Sequence, residues 1–151
     1  MNPAELKPPL TVFHDASCPI CRAEMEELTS IDDAGVLELI DCSQDDFDDI
    51  RCRDAGLTQA DLMGALYIVD REEHWRSGPD AFAEIYAALG LARMARFWGR
   101  GWWRPLVNLG YRLFALTRGW LALLGLDRAV RWGVRKEAEA AATRSSSCRT
   151  D

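Results

Sequence analysis

Two thiols stand three residues apart at Cys18 and Cys21, with Pro19 and Ile20 between them. A pair at that spacing can close a small disulfide ring and open it again, so the chemistry it offers is two-electron thiol–disulfide exchange. The thiolate is the reactive form, and a helix N-terminus lowers a thiol's pKa below its free value of about 8.5. Pro19 suits the first position of a helix, where its missing N–H costs nothing and its fixed φ is already helical. Cys18 then reads as the attacking thiol, the more exposed of the two. Cys21, one turn further in, reads as the resolving thiol. Asp15 lies three residues before Cys18 and has two readings. It is a carboxylate that relays protons to the pair or tunes it, or a turn-former that accepts backbone N–H groups ahead of the helix. A carboxylate beside Cys18 raises the thiol pKa and opposes the helix dipole. A protonated His14 would act the other way, although a histidine at a strand end is more commonly structural.

A zinc site is the rival chemistry. Zinc commonly takes two close pairs of ligands, and this chain has one. Cys42 and Cys52 are ten residues apart, and His14 and His74 have no ligand spacing. A Cys18/Cys21/Cys42/Cys52 cluster is the metal alternative; the redox reading needs no cofactor. Cys42 reads as a small buried hydrophobe, and Cys52 and Cys148 as bystanders. Five cysteines, an odd count, fit one working pair and three bystanders better than a disulfide framework. The first nine residues hold Glu5, Lys7 and three prolines without an apolar run. That does not resemble a secretory signal, so the expected location is cytoplasmic.

The elements that must position the thiols follow from periodicity. Residues 10–14 are an apolar run that reads as a buried strand. Residues 18–30 read as a helix with Cys21, Met25 and Leu28 on one face and Glu24, Glu26 and Glu27 elsewhere. A second strand is expected at 36–42, an acidic helix at 44–56 and a capped turn at 58–62. A third and a fourth strand follow at 65–70 and 73–77, joined by a tight turn at Arg71-Glu72, and then a helix at 81–89. This order predicts an α/β fold: a thioredoxin-like four-stranded mixed sheet with flanking helices and the thiols after the first strand.

Residues 94–134 differ in kind. They carry Trp98, Trp102, Trp103, Trp120 and Trp132 among Leu and Arg. Helices are expected at 105–117 and 120–135. Residues 138–151 show no apolar pattern, so disorder is expected there. The organisation predicted is a thioredoxin-like domain over 1–92, a Trp/Arg-rich helical extension packed on it over 93–136, and a disordered tail over 137–151. Charge divides at the same place. Residues 1–92 hold 6 Lys and Arg against 20 Asp and Glu, a net −14, and residues 93–151 hold 12 against 4, a net +8. The plain reading is that the basic part packs on the acidic part. Arg104, Arg112 and Arg118 would each cost roughly 2.5–3.5 kcal/mol at mid-bilayer, which argues against a spanning helix. Peripheral membrane contact through residues 98–132, or a protein-binding surface there, is the alternative function, with the Cys pair then structural or zinc-binding. No nucleic-acid motif accompanies the arginines, and no phosphate loop or nucleophile elbow occurs.

Asp15-x-x-Cys18-x-x-Cys21 resembles the signature of the DCC family of thiol-disulfide oxidoreductases. Val12-Phe13-His14-Asp15 resembles that family's opening strand, and Gly78-Pro79-Asp80-Ala81-Phe82 its glycine-to-Ala-Phe segment before a helix. Leu109-Gly110-Tyr111-Arg112 and Arg118 resemble its C-terminal helical part. The resemblance implies a thioredoxin-like fold and disulfide exchange with a protein or small-molecule thiol. There are departures. Ala16 stands where the family usually has Gly, so the turn must avoid a conformation only Gly tolerates. Thr117 replaces an expected Asn. No proline precedes the third strand as it does in thioredoxins; Met63-Gly64 stands there, and Met63 is a candidate wall of the thiol pocket.

Overall fold

The computed structural model describes residues 6–99 and 125–147. Its elements run β1 (Leu10–His14), α1 (Pro19–Ser30), β2 (Leu37–Asp41), α2 (Ile50–Asp54), α3 (Gln59–Gly64), β3 (Tyr67–Val69), β4 (Trp75–Ser77), α4 (Pro79–Ala88), α5 (Ala92–Gly99) and α6 (Leu126–Ser147). β1 is buried at all five positions, as a strand covered on both faces must be. It is an inner strand of a four-stranded sheet of order β2-β1-β3-β4. β2 runs parallel to β1, β3 antiparallel to β1, and β4 antiparallel to β3. A parallel neighbour needs a crossover, and α1 supplies it. The fold is thus α/β and thioredoxin-like, with a mixed sheet and flanking helices.

Alternation along β1 sends its side chains to two cores. Leu10 and Val12 join Met25 and Leu28 of α1, Ile85 and Tyr86 of α4, and Val134 of α6. Phe13 points the other way, into a smaller cluster with Cys42, Cys52, Leu62 and Val69. Thr58 caps α3 through a reciprocal bond pattern with Asp61. Gly78 caps α4 with φ 58° and ψ −134°, a conformation closed to side-chain-bearing residues. It is what the Gly-Pro-Asp segment supplies.

Three expectations are corrected. The acidic helix over 44–56 shrinks to the single turn of α2. Asp side chains compete with helix formation by bonding nearby backbone, and Asp49 does so, accepting the Arg51 N–H at 2.9 Å and its guanidinium at 2.8 Å. The turn between β3 and β4 is wider than Arg71-Glu72. Asp70 organises it by accepting the N–H groups of Glu72 and His74, each at 2.9 Å, and Glu73 takes a positive φ of 62°. Burial would raise the Asp70 pKa, but these bonds, the His74 ring and the Lys7 N–H pull it down to about 2. Finally, the stretch read as disordered from residue 137 is helix to Ser147. Ala138 and Ala141 continue the stripe begun by Val134 and pack against the larger core. Alanine carries little hydrophobic signal but the highest helix propensity.

The basic extension meets the acidic domain directly. Arg131 pairs with Glu26 at 2.7 Å, and Arg135 grips both oxygens of Glu27 at 3.0 and 3.1 Å. Glu27 is therefore buried rather than on a solvated face, and Arg135 holds its pKa down. Trp98 of α5 stacks on Phe82 of α4 with centroids 4.9 Å apart. Phe97 and Trp132 remain exposed, at 50% and 65%. No helix among the described residues is long and apolar enough to cross a membrane. Trp102, Trp103, Trp120, the helix expected at 105–117 and the start of the one expected from residue 120 lie outside the described residues, as do residues 148–151.

Candidate active site

Pro19 opens α1 and leaves Cys18 as its N-cap, with φ −81° and ψ 116°. The Cys18 Sγ accepts the Cys21 N–H at 3.5 Å. Sulfur thus takes the place that a Ser or Asp oxygen usually occupies, and satisfies one of the helix's first unpaired donors. A thiolate gains more than a thiol from such a bond, because the acceptor is then charged. The exposure order is opposite to the expected one. Cys18 is buried, at 5%, while Cys21 is half-buried. To accept its own helix's N–H, the Cys18 side chain turns back over the first turn instead of outward.

The segment before Cys18 is tied at both ends. Asp15 is buried. Its Oδ1 accepts the Ser17 N–H at 2.9 Å and the Ser17 hydroxyl, and its carbonyl accepts the Cys18 N–H at 3.3 Å. These are the bonds of the turn-forming reading. Asp41, at the end of β2, accepts the Ala16 N–H at 3.1 Å, the Ser43 N–H at 2.9 Å and the Gln44 amide at 2.6 Å. Burial alone would raise the Asp41 pKa, but these bonds and the Ser43 hydroxyl outweigh it and hold the carboxyl well below the usual range. Glu73 is the one positive-φ residue other than glycine among those described, so Ala16 avoids the Gly-only conformation.

His14 is buried, and its Nδ1 has no hydrogen-bond partner among the described residues. Burial lowers its pKa, against the opposing fields of Asp41 and Asp15. It is neutral at pH 7 and brings no positive charge to the thiols. Cys42 donates to the His14 carbonyl at 3.0 Å, and burial pushes its thiol up to about 12. Burial likewise pushes Cys52 up to about 11. Both lie in the small core that Met63 packs against, so the Cys18/Cys21/Cys42/Cys52 cluster is not assembled. No group of three or more His, Cys, Asp or Glu among the described residues could hold a metal ion.

Sequence reasoning missed two residues. Glu24 lies one turn beyond Cys21, half-buried, and accepts the Tyr86 hydroxyl. Burial raises its pKa to about 7, the Tyr86 bond acting weakly against this. Its position was readable: 21, 24, 25 and 28 are the i, i+3, i+4, i+7 positions of one helical face. Asp41 was the other. Its signal was Asp-x-Ser at a strand end, a pattern that forms side-chain turns. A groove of about 770 Å³ lies on the other face of the sheet, lined by Thr11, Arg51, Leu57, Tyr67, Val69 and Trp75 among others. The thiols take no part in it.

A family model described as DCC1-like thiol-disulfide oxidoreductase matches residues 12–122. No curated protein and no solved structure matches the chain.

Proposed function

The chain belongs to the DCC1-like thiol-disulfide oxidoreductase family, and on that premise we propose that it exchanges disulfides through Cys18 and Cys21. The observation that carries the reading is the Cys18 Sγ held as N-cap by the Cys21 N–H, at the end of a helix that favours negative charge. The Cys18 thiolate attacks a substrate disulfide, and one substrate sulfur leaves. Cys21 then attacks Cys18 in the mixed disulfide, closes the Cys18–Cys21 bond and frees the second substrate sulfur. Two electrons pass from the pair to the substrate; the reverse sequence oxidises a dithiol. Asp15 acts as a positioning residue, ordering the turn through Ser17. The substrate class is a protein or small-molecule disulfide, and the compartment is the cytosol. Buried Cys18 favours substrates narrow enough to reach it beside exposed Ser17 and Pro19.

The test is the reduction potential of the pair. Protein is equilibrated in glutathione buffers and its free thiols are counted by mass spectrometry. The expected result is one reversible two-electron transition confined to Cys18 and Cys21. A pair that never oxidises, or that is shielded by bound zinc, removes the reading.

A second reading rests on the exposed Phe97 and Trp132: peripheral contact with a membrane or partner through the Trp/Arg helices. Co-sedimentation with anionic lipid vesicles that persists after Cys18→Ser and Cys21→Ser would favour it.

A further inference from the structure

Resolution of the mixed disulfide requires Cys21 to lose its proton, and Cys21, unlike Cys18, is not the N-cap. We propose that Glu24 is the proton acceptor for Cys21, taking the thiol proton as the Cys21 sulfur attacks Cys18. This deepens the disulfide-exchange reading and rests on it. Residues three apart on a helix have Cβ atoms roughly 5–6 Å apart. Helical side chains lean toward the N-terminus, so Glu24 leans back over the turn that carries Cys21. Glu24 Oε1 accepts the Tyr86 hydroxyl, and no hydrogen bond to Oε2 is made among the described residues. That oxygen is the acceptor we assign to the Cys21 proton, on the helix face one turn from the thiol.

The surroundings keep Glu24 titratable near neutrality. From α4, Tyr86 is buried and its pKa lies well above 10, so it stays a neutral donor. From α6, Arg131 and Arg135 are engaged by Glu26 and Glu27. On α1 itself, Arg22 lies 3.9 Å from Glu26. From β1, His14 is neutral. Burial therefore sets the Glu24 pKa at about 7, where a carboxyl works best as acid and base at physiological pH. The balance is complete. The Cys18–substrate bond breaks and the Cys18–Cys21 bond forms. The Cys21 proton passes to Glu24 and from there to water, and the substrate sulfur leaves as thiolate.

The chromogenic disulfide dithiobis(nitrobenzoate) separates the two steps on the full chain. Attack by Cys18 releases a first coloured thiolate, and resolution by Cys21 a second. In the wild type, the rate of the second release should rise through an inflection near pH 7. Glu24→Gln should lose that inflection and slow the second release about 10- to 100-fold at pH 7, with the first release unchanged. Tyr86→Phe removes a donor that favours the carboxylate, so its inflection should move to higher pH. An inflection that survives in Glu24→Gln, or that stays in place in Tyr86→Phe, overturns the proposal. A wild type that releases no second thiolate, matching Cys21→Ser, sinks the exchange reading itself.

Discussion

Cys18 and Cys21 stand at the N-cap and in the first turn of α1, where the Cys21 N–H points at the Cys18 sulfur. Cys42 and Cys52 lie in a core with Phe13, Leu62 and Val69, where burial drives their pKa values to about 12 and about 11. The side chain is the same and the environments are opposite. One pair meets unpaired donors at a helix terminus. In the other, a thiol donates to the His14 carbonyl, a bond that favours the protonated form. The four described cysteines share one side chain, and only the helix terminus offers a backbone N–H to sulfur, at Cys18. Burial alone does not separate the pairs, since Cys18 is also buried.

The largest effect that would sharpen this contrast is in alkylation. At pH 7.5 a thiol of pKa about 12 is ionised three or more orders of magnitude less than an ordinary thiol. Mass spectrometry after brief iodoacetamide treatment should find label on Cys18 and Cys21 well before Cys42 and Cys52. In denaturant the four rates should converge. Comparable native rates would break the comparison.

Asp41 joins the two regions, because it binds Ala16 beside one pair and sits next to Cys42 of the other. Asp41→Ala removes its hydrogen bonds and should cost about 2–3 kcal/mol at pH 7 in urea denaturation. The folded pKa is depressed, so this contribution exists above the unfolded value and fades as pH falls below about 4. A difference between wild type and variant that persists undiminished at pH 2 would assign the cost elsewhere.

The thiol helix also carries a titrating group that the inert core lacks. The Glu24 pKa is raised to about 7, so its stabilising share is full below about pH 4.5 and is lost as pH rises through 7. Glu24→Gln should therefore be the more stable protein at pH 8, by roughly 1–2 kcal/mol, with a flatter profile from pH 5 to 8. A variant less stable at pH 8 would contradict this.

The smallest effect is at the buried pair. Cys42→Ala or Cys52→Ala should cost about 1 kcal/mol each and leave the Cys18–Cys21 potential unchanged. A shifted potential would show that the two environments communicate.

The four strands of a mixed sheet and their succession along the chain were legible because β1, β2 and β3 are short apolar runs bounded by polar turns, and because Cys-Pro-x-Cys fixes where α1 begins. Element ends were less so. The β3–β4 turn depends on Asp70 meeting the Lys7 N–H 63 residues away, which no local pattern encodes. The helical tail was missed because Ala138 and Ala141 look neutral until Val134 anchors their stripe. Cys18 was expected outside because position on a helix says nothing of which way a cap side chain turns. Glu24 was set apart from the face of Cys21, Met25 and Leu28 because charge outweighed its place beside them. Glu27 was misread in the same way, since Arg135 lies 108 residues further along.

That last pairing has a consequence for synthesis. α1, which bears the thiols, emerges early from the ribosome, yet the cation that neutralises its buried Glu27 is made more than a hundred residues later. Domains fold as their contacts become available, and distant contacts carry the larger closure entropy. A nascent chain that stops short of residue 135 would hold the Cys18–Cys21 helix with one flank open and an unpaired carboxylate inside it.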